Sequence, residues 1–316
     1  MDINTPYITD TDQFNLLLST HTGPMKYTLM NDFLSKYGFQ KDLFALKGLL
    51  AALLHLPLDE ITAITVLNPI EASDEIGDKE CILDIKLELN NEKIINIEIQ
   101  SRYQDFWPER SITYLCRNFD HLKQGESYSA IKPCIQIGIL SHPLFKPDDP
   151  RYVDDFYSEY RLLNTSTHTE YSGKFEIRVL SLSQLDKACI EDKSDPNGLY
   201  HWAKLFSAST WEELKMIAQD NPMMNSFVGT VMELTAEEKV AQACEMRRRY
   251  SNDIATYEQE IADKVAEIAD KDAELADKDA ELADKDAELA DKDAELADKN
   301  AEIASLKAQL ASLGQI

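Results

Sequence analysis

The chain has 316 residues, 44% of them hydrophobic, so it can form one large domain or two small ones around a substantial core. Its net charge of −25 at pH 7 argues against broad non-specific DNA binding, which depends on neutralising phosphates. Part of that charge is local: the stretch from Glu258 onward holds 18 acidic and seven basic residues, which leaves −14 for the rest. A local basic groove, or metal ions that offset acidic side chains, stays compatible with this composition.

Several classes of protein are disfavoured by what the sequence lacks. It has no run of eighteen uncharged apolar residues, so we expect no membrane span. Its first residues show neither the basic region nor the apolar core of a secretory signal. The five cysteines include no C-x-x-C pair and the six histidines no H-E-x-x-H motif, so we expect neither a zinc site nor a disulfide framework. The expected compartment is the cytoplasm.

The first predicted elements are helices followed by a strand. Residues 1–26 are expected to be irregular, and a short helix is expected near Met30–Tyr37. Residues 41–55 are strongly apolar, which is typical of a helix that packs on a sheet. The β-branched run Ile61–Leu67 predicts a strand that ends at the following Asn-Pro pair.

Residues 82–101 carry the most informative pattern in the chain, that of a β-hairpin. Apolar residues take the odd-numbered positions on both sides of a short turn, and this alternation predicts strands with one buried face. Asn90 and Asn91 tolerate the positive φ that a tight reversal needs.

The register of this hairpin determines where its acidic side chains lie. Because odd residues must pair with odd ones, Asp84 pairs with an even-numbered residue. The candidates are Asn96, Glu98 and Gln100. In each case Asp84 and Glu98 are direct or diagonal neighbours on one face, where like charges destabilise the ladder unless a divalent cation such as Mg²⁺ lies between them. The alternative, which the hairpin alone favours, is an ordinary solvated polar face.

The elements after the hairpin complete a recognisable order. Pro108 suits the first turn of a helix expected to run to about residue 123, and Lys132–Leu140 predicts a further strand. From residue 41 the order is therefore helix, strand, strand, strand, helix, strand. Beyond it we expect a long connection with edge-strand pieces over 143–173, a strand over Phe175–Ser181, and short helices over 184–190, 197–206, 210–219 and 223–233.

One face of the helix expected over 108–124 carries polar side chains at i, i+4, i+7 and i+11. They are Arg110, Tyr114, Arg117 and His121, and the apolar residues of the opposite face are Ile112, Leu115, Phe119 and Leu122. The functional interpretation is a stripe directed at a phosphate and the DNA backbone. The alternative, equally compatible with the spacing, is the solvated face of an amphipathic helix. Trp202 and Trp211 are expected in the core.

A seven-residue repeat, Ala-Asp-Lys-Asp-Ala-Glu-Leu, runs from Ala269 to Ala297 and predicts a long charged helix over 241–316. If the leucines occupy one core position of a coiled coil, aspartates occupy the other, while an all-alanine seam would bury little area. We therefore expect a solvated helix with at most weak self-association, antiparallel if it occurs. The Arg247-Arg248-Arg249 run is interpreted as helix surface in preference to a phosphate contact.

The hairpin and the helix after it resemble the PD-(D/E)xK nuclease superfamily, and within it the recombination-promoting nuclease and putative transposase family. The resemblance covers about residues 27–240. It depends on Ile-Leu-Asp84-Ile-Lys, Asn-Ile-Glu98-Ile-Gln100, Asp105-Phe-Trp-Pro-Glu-Arg110, Tyr114, Gly125, Tyr128 and the strand at 132–140. It implies an α/β, restriction-endonuclease-like αβββαβ core over 27–182, a helical extension over 183–240 and a charged helix over 241–316 as a variable appendage.

The resemblance also implies metal-dependent endonuclease activity on DNA, with Mg²⁺ or Mn²⁺ as cofactor, and a role in recombination or mobile elements. By motif position, Asp84 and Glu98 are the metal-binding acids and the backbone carbonyl of Ile99 completes the ligand set. Gln100 stands where the superfamily usually has lysine, although the resembling subfamily has glutamine there, so it could orient the attacking water but supplies no ammonium charge. Asp32 only partly matches an N-terminal acidic motif of the family and is the weakest candidate ligand.

The remaining roles and the rival functions follow from the same residues. Arg110 is expected to clamp a phosphate oxygen, with Tyr114 and Arg117 as further DNA contacts. A catalytically inactive nuclease fold that acts as a binding or regulatory module is supported by the acidity of the chain and by Gln100. A scaffold that assembles through residues 250–316 is the third hypothesis, and the aspartate-filled seam argues against it.

Overall fold

The computed structural model describes residues 2–70, 84–120, 122 and 125–314. The chain forms two compact units, Met1–Tyr250 and Ser251–Ile316. The ranges 27–182 and 183–240, which the sequence analysis separated, both lie within the first unit. The second unit is helical throughout its described part.

The first unit surrounds one sheet with helices. The helices are α1 (Thr11–Thr20), α2 (Asp32–Lys41), α3 (Leu43–Leu54), α4 (Trp107–Phe119), α5 (Ile190–Ser194), α6 (Leu199–Ser207), α7 (Trp211–Ala218), α8 (Pro222–Ala236) and α9 (Glu238–Leu313), the last of which continues into the second unit. The strands are β1 (Ile64–Val66), β2 (Ile85–Leu89), β3 (Lys93–Gln100), β4 (Cys134–Leu140), β5 (Tyr157–Arg161) and β6 (Phe175–Ser181). The predicted order of helix, three strands, helix and strand is present, from α3 to β4.

The prediction of an irregular segment over residues 1–26 is wrong, because α1 lies within it. Asp10 caps this helix by accepting hydrogen bonds from the backbone N–H groups of Asp12 and Gln13. Phe14 packs against Gly229 of α8 so closely that a Cβ atom at Gly229 would lie 2.6 Å from its ring. α1 has no fully buried residue, and Leu17 and Leu18 pack only in part against the core.

The sheet has the strand order β1-β2-β3-β4-β6-β5. β3, β4 and β6 run parallel, while the other neighbouring strands are antiparallel. In the hairpin Ile85 pairs with Ile97, so odd residues pair with odd ones as predicted. Extending this register by one residue places Asp84 opposite Glu98, which is one of the three registers that the sequence left open.

The turn of the hairpin was predicted correctly, but the burial of its second strand was not. Asn90 and Asn91 have φ of 53° and 57°, as expected for the reversal. β3, however, is buried on both faces, with Ile95 and Ile97 on one side and Asn96 and Glu98 on the other. The alternating pattern predicted one exposed face, but α4 covers that face of the sheet.

The rotation of α4 is set by its contact with β4. Pro108 lies in its first turn as predicted, and the residues that α4 buries are Trp107, Ser111, Leu115 and Asn118. A Cβ atom at Gly138 of β4 would lie 2.3 Å from the Trp107 ring, so the indole fills the space that glycine leaves. With this rotation Leu115 of the predicted apolar face is buried, whereas Ile112 of the same face is 47% exposed. His121 lies outside the described residues.

The later predicted elements are close to those observed. Phe175–Ser181 is β6, and the long connection before it contains the edge strand β5. The helix predicted over 184–190 is largely the 3-10 helix Leu182–Lys187, α5 was not predicted, and α6 to α8 match the later predicted helices with slightly shifted bounds. Trp202 and Trp211 are buried as expected. From Ala255 onward every side chain that the structure describes is exposed, including the leucines of the repeat. Within the described residues, no helix has the length and apolar character needed to span a membrane.

Candidate active site

Two carboxylates lie next to each other on the face of the sheet that α4 covers. Asp84 immediately precedes β2 and Glu98 lies near the end of β3, with side chains 8% and 5% exposed. Asp84 Oδ1 and both carboxylate oxygens of Glu98 are buried, and none of them accepts an aligned hydrogen bond from a residue that the structure describes. Buried acceptors without donors are costly, so three such oxygens on one face indicate a site for a cation or for ordered water.

Arg110 of α4 supplies a positive charge to Glu98. Its Nη2 lies 3.0 Å from Glu98 Oε1, as an ion pair without the angle of an aligned hydrogen bond. Burial nevertheless raises the pKa of Glu98 from 4.5 to about 7. Arg110 lowers that pKa, whereas the charges of Asp84 and Asp32 raise it. Without metal, therefore, Glu98 exchanges its proton near neutral pH.

Further buried polar atoms without partners surround this pair. Asn96 of β3 donates to Gln136 of β4 over 3.0 Å, yet Asn96 Oδ1 and Gln136 Nε2 have no partner. Arg110 Nε likewise has no partner among the residues that the structure describes. Polar groups in a packed core are normally hydrogen-bonded or absent. Because several unsatisfied polar groups lie on this face, it differs in character from the apolar core on the other side of the sheet.

Gln100 and Ile99 occupy the end of β3. Gln100 Nε2 donates to the backbone carbonyl of Arg102 over 3.1 Å, which ties the side chain to the loop after the strand. Ile99 pairs with Ile139 of β4 and its side chain belongs to the main apolar core. Only its backbone carbonyl could therefore serve as a ligand.

The described residues of the polar stripe lie on one face of α4, and they differ in what they contact. The guanidinium carbon of Arg110 lies 5.2 Å from the centre of the Tyr114 ring, and that of Arg117 lies 5.9 Å from it. Tyr114 thus contacts two cations through its aromatic ring. Arg110 reaches the carboxylate pair, whereas Arg117 is exposed near the end of the helix.

Asp32, the weakest candidate from sequence, is not brought into metal-binding range of the carboxylate pair. It lies in the first turn of α2, and its charge contributes to the raised pKa of Glu98. Its carboxylate accepts hydrogen bonds from Arg247 of α9. Arg247, Arg248 and Arg249 were all expected on the helix surface. This holds for Arg248 and Arg249, because both bind Glu245. No sequence pattern links positions 32 and 247.

The comparison with protein families agrees with this geometry. A family model described as PD-(D/E)XK nuclease family transposase matches residues 29–260, well over half of the chain. The chain belongs to this family. PD-(D/E)XK nucleases have a restriction-endonuclease-like fold and generally use divalent metals. No curated protein and no solved structure matches the chain.

The residues present suit the divalent metal that PD-(D/E)XK nucleases generally use. Asp84 Oδ1 and the Glu98 carboxylate offer buried oxygens that accept no aligned hydrogen bond from the described residues. Among the described residues, no three His, Cys, Asp or Glu side chains converge closely enough to hold a metal ion. The other ligands would then be the Ile99 carbonyl, water and substrate oxygens, a set that Mg²⁺ accepts readily.

Proposed function

We propose that this member of the PD-(D/E)XK transposase family is a metal-dependent DNA endonuclease that hydrolyses phosphodiester bonds during recombination or transfer of mobile elements. The observation that carries the proposal is the buried pair of Asp84 and Glu98, in which Asp84 Oδ1 and both Glu98 oxygens accept no aligned hydrogen bond from the described residues. Arg110 offsets the charge of Glu98, but buried acidic oxygens that serve structure alone are normally hydrogen-bonded within the protein.

Asp84, Glu98 and the carbonyl of Ile99 would hold the ion, Mg²⁺ or Mn²⁺. When bound, the ion supplies a water of lowered pKa and offsets the charge of the phosphate. Gln100 orients the attacking water through its side-chain amide. Because an amide has no net charge, Gln100 cannot stabilise the developing negative charge as lysine would, and that role passes to a cation on α4.

Arg110 is that cation. In the metal-free site it is paired with Glu98. With Glu98 as a ligand of the ion, the Arg110 guanidinium would bind a phosphate oxygen in two-point geometry. Tyr114 and Arg117 continue the same face of α4 and extend the contact along the DNA backbone.

The direct test is nicking of supercoiled plasmid in Mg²⁺. We expect Asp84→Ala to lower the rate by about two orders of magnitude or more, because the variant loses a metal ligand. Asp59→Ala, which removes an exposed acid from the 3-10 turn Leu58–Glu60, is the matched control and should keep the wild-type rate. Equal nicking by wild type and Asp84→Ala would refute the assignment.

A second candidate function is a catalytically silent binding module on the same fold. The observation that favours it is Gln100, which replaces the usual lysine and whose amide nitrogen is held by the loop after β3. Calorimetric titration of the wild-type chain distinguishes the two functions. The nuclease requires binding of Mg²⁺ or Mn²⁺ that Asp84→Ala removes, whereas the silent module would show none.

A further inference from the structure

We propose that His142 is a positioning residue of the nuclease site, which orients the side chain of Gln100 through the backbone carbonyl of Arg102. The inference rests on the proposed nuclease function and deepens it. It gives a role to the loop after β4, which starts beside the end of β3, because the backbone N–H of Ser141 donates to the carbonyl of Gln100 over 3.0 Å.

The carbonyl oxygen of Arg102 is shared by two side chains. Gln100 Nε2 donates to it over 3.1 Å, and His142 Nε2 lies 2.6 Å from it. Because a carbonyl oxygen only accepts, and has two lone pairs, both nitrogens can donate to it at once. This one oxygen therefore joins the side chain at the end of β3 to the imidazole in the loop after β4.

This bond decides which end of the Gln100 amide is left for water. The Arg102 carbonyl selects the amide nitrogen, so Gln100 Oε1 is the end that can accept a hydrogen bond from the attacking water. An acceptor that binds one hydrogen of this water also fixes the direction of its lone pairs. A rotated amide would present its nitrogen instead, so the role proposed for Gln100 depends on where the Arg102 carbonyl points.

Arg102 cannot hold its own carbonyl in place, because β3 ends at Gln100 and Arg102 lies in the loop beyond it. His142, in contrast, is held on several sides. Its ring lies 5.1 Å from that of Tyr103 in a T-shaped arrangement, and its backbone carbonyl accepts from Ser181 Oγ of β6 over 3.1 Å. The imidazole thus carries the rigidity of the sheet to the loop after β3.

The second ring nitrogen also faces a carbonyl. Nδ1 of His142 lies 2.9 Å from the carbonyl oxygen of Pro143. A protonated ring therefore donates at both nitrogens, while a neutral ring with its hydrogen on Nε2 still binds Arg102. The contact to Arg102 is the one that the proposal needs.

Other bonds join the two loops and should keep them together without the imidazole. Ser141 Oγ donates to the carbonyl of Ser101 over 2.9 Å, and Lys146 Nζ lies 3.3 Å from Asp105 Oδ1. Loss of the ring should therefore free the Arg102 carbonyl and the Gln100 amide while the backbone of both loops stays close to its place.

The experiment compares His142→Gln with His142→Asn in the full-length chain. The amide nitrogen of glutamine can take the place of Nε2, whereas that of asparagine can take only the place of Nδ1. We expect His142→Asn to lower kcat for plasmid nicking in Mg²⁺ by about 10- to 100-fold, and His142→Gln to keep most of the wild-type kcat. The KM for DNA, and the affinity for Mn²⁺ by calorimetry, should stay at wild-type values in both variants.

His21→Asn is the matched control for loss of an imidazole. His21 Nδ1 also lies 2.9 Å from a carbonyl oxygen, that of Leu17, but its ring packs on Trp211 of α7 rather than on the loops after β3 and β4. This variant should nick plasmid at the wild-type rate. Equal losses of kcat in His142→Gln and His142→Asn, or a higher KM for DNA with an unchanged kcat, would overturn the inference.

A double variant tests whether His142 acts through Gln100. If it does, His142→Asn lowers kcat in the wild-type chain but has little further effect in a chain that already carries Gln100→Ala. Losses that multiply in the double variant would show that the two side chains act independently and would refute the proposed role.

Nuclear magnetic resonance of the metal-free chain tests the contact without activity. The side-chain amide signals of Gln100 are identified by their loss in Gln100→Ala. We expect these signals to shift in His142→Asn and to stay close to their wild-type positions in His142→Gln. Signals that do not move in either variant would contradict the proposal.

The outcomes also separate this inference from the proposed function. If wild type binds Mn²⁺ and nicks plasmid while His142→Asn nicks at the same rate as His21→Asn, the role of His142 is refuted and the nuclease stands. If wild type neither binds Mn²⁺ nor nicks plasmid, both proposals are refuted.

Discussion

At the scale of single residues, Glu98 shows how burial creates a reactive group. An exposed glutamate is ionised at neutral pH, but loss of water at this position favours the neutral form and raises its pKa to about 7. Metal binding needs the ionised form. The affinity of the site for Mg²⁺ should therefore fall as the pH drops below about 7.

The same pKa predicts a pH-dependent stability for metal-free protein. Between the unfolded value of 4.5 and the folded value of about 7, the native state binds more protons, so stability falls as pH rises. Glu98→Gln has no carboxyl group at this position, so its stability does not fall in this way as the pH rises. In urea denaturation with a chelator, the stability of Glu98→Gln relative to wild type should rise by about 2–3 kcal/mol from pH 5 to pH 8. Glu92→Gln, in the exposed turn of the hairpin, is the charge-loss control, and an equal difference at both pH values would contradict the prediction.

At the scale of elements, the position of α4 decides whether its polar stripe can reach the site. The helix is anchored by the Trp107 ring on Gly138, a residue in β4 directly beside Glu98 in the sheet. Arg110 lies three residues after that anchor, so its distance from Glu98 depends on how closely the indole approaches the sheet.

Gly138→Ala tests this anchor. Its added Cβ would lie 2.3 Å from the Trp107 ring, so the indole and the start of α4 must move. We expect a loss of about 2 kcal/mol in stability and a lower nicking rate, measured by urea denaturation and by the plasmid assay. Gly173→Ala, whose nearest neighbour would be 3.7 Å away, is the matched control. Wild-type activity in Gly138→Ala would show that α4 does not position Arg110.

At the scale of the whole molecule, the chain consists of a unit with its own core and a solvated helical unit. The first unit contains Asp84, Glu98, Gln100 and Arg110 and ends at Tyr250. In the second unit the repeat leucines are about 57–62% exposed, and aspartates recur at the position that would complete a seam. Weak self-association and a cytoplasmic location both remain predictions.

Deleting Ser251–Ile316 should therefore leave the site intact. We expect the shortened chain to bind Mn²⁺ and nick plasmid at wild-type rates, with a thermal midpoint within about 3 °C of the full chain, because little buried area is lost. Sedimentation of both chains at micromolar concentration should show monomers. A stable oligomer of the full chain that the deletion abolishes would contradict this and favour the scaffold hypothesis.

Much of the fold was already determined by local pattern. The alternation of apolar residues predicted that odd-numbered residues pair with odd-numbered ones in the hairpin, and the Asn-Asn pair predicted its turn. Both predictions succeeded because they depend on neighbouring residues. The motif around Asp84, Glu98 and Gln100 pointed to the nuclease family that the comparison found.

The tertiary structure decided what depends on residues distant in sequence. Burial of the second face of β3, the rotation of α4 over Gly138 and the docking of α1 on α8 all depend on partners that local periodicity does not encode. The pairing of Asp32 with Arg247 is the clearest case, since 215 residues separate them. Sequence alone determined which groups could do the chemistry, whereas packing brought them together and, by excluding water, set their charge.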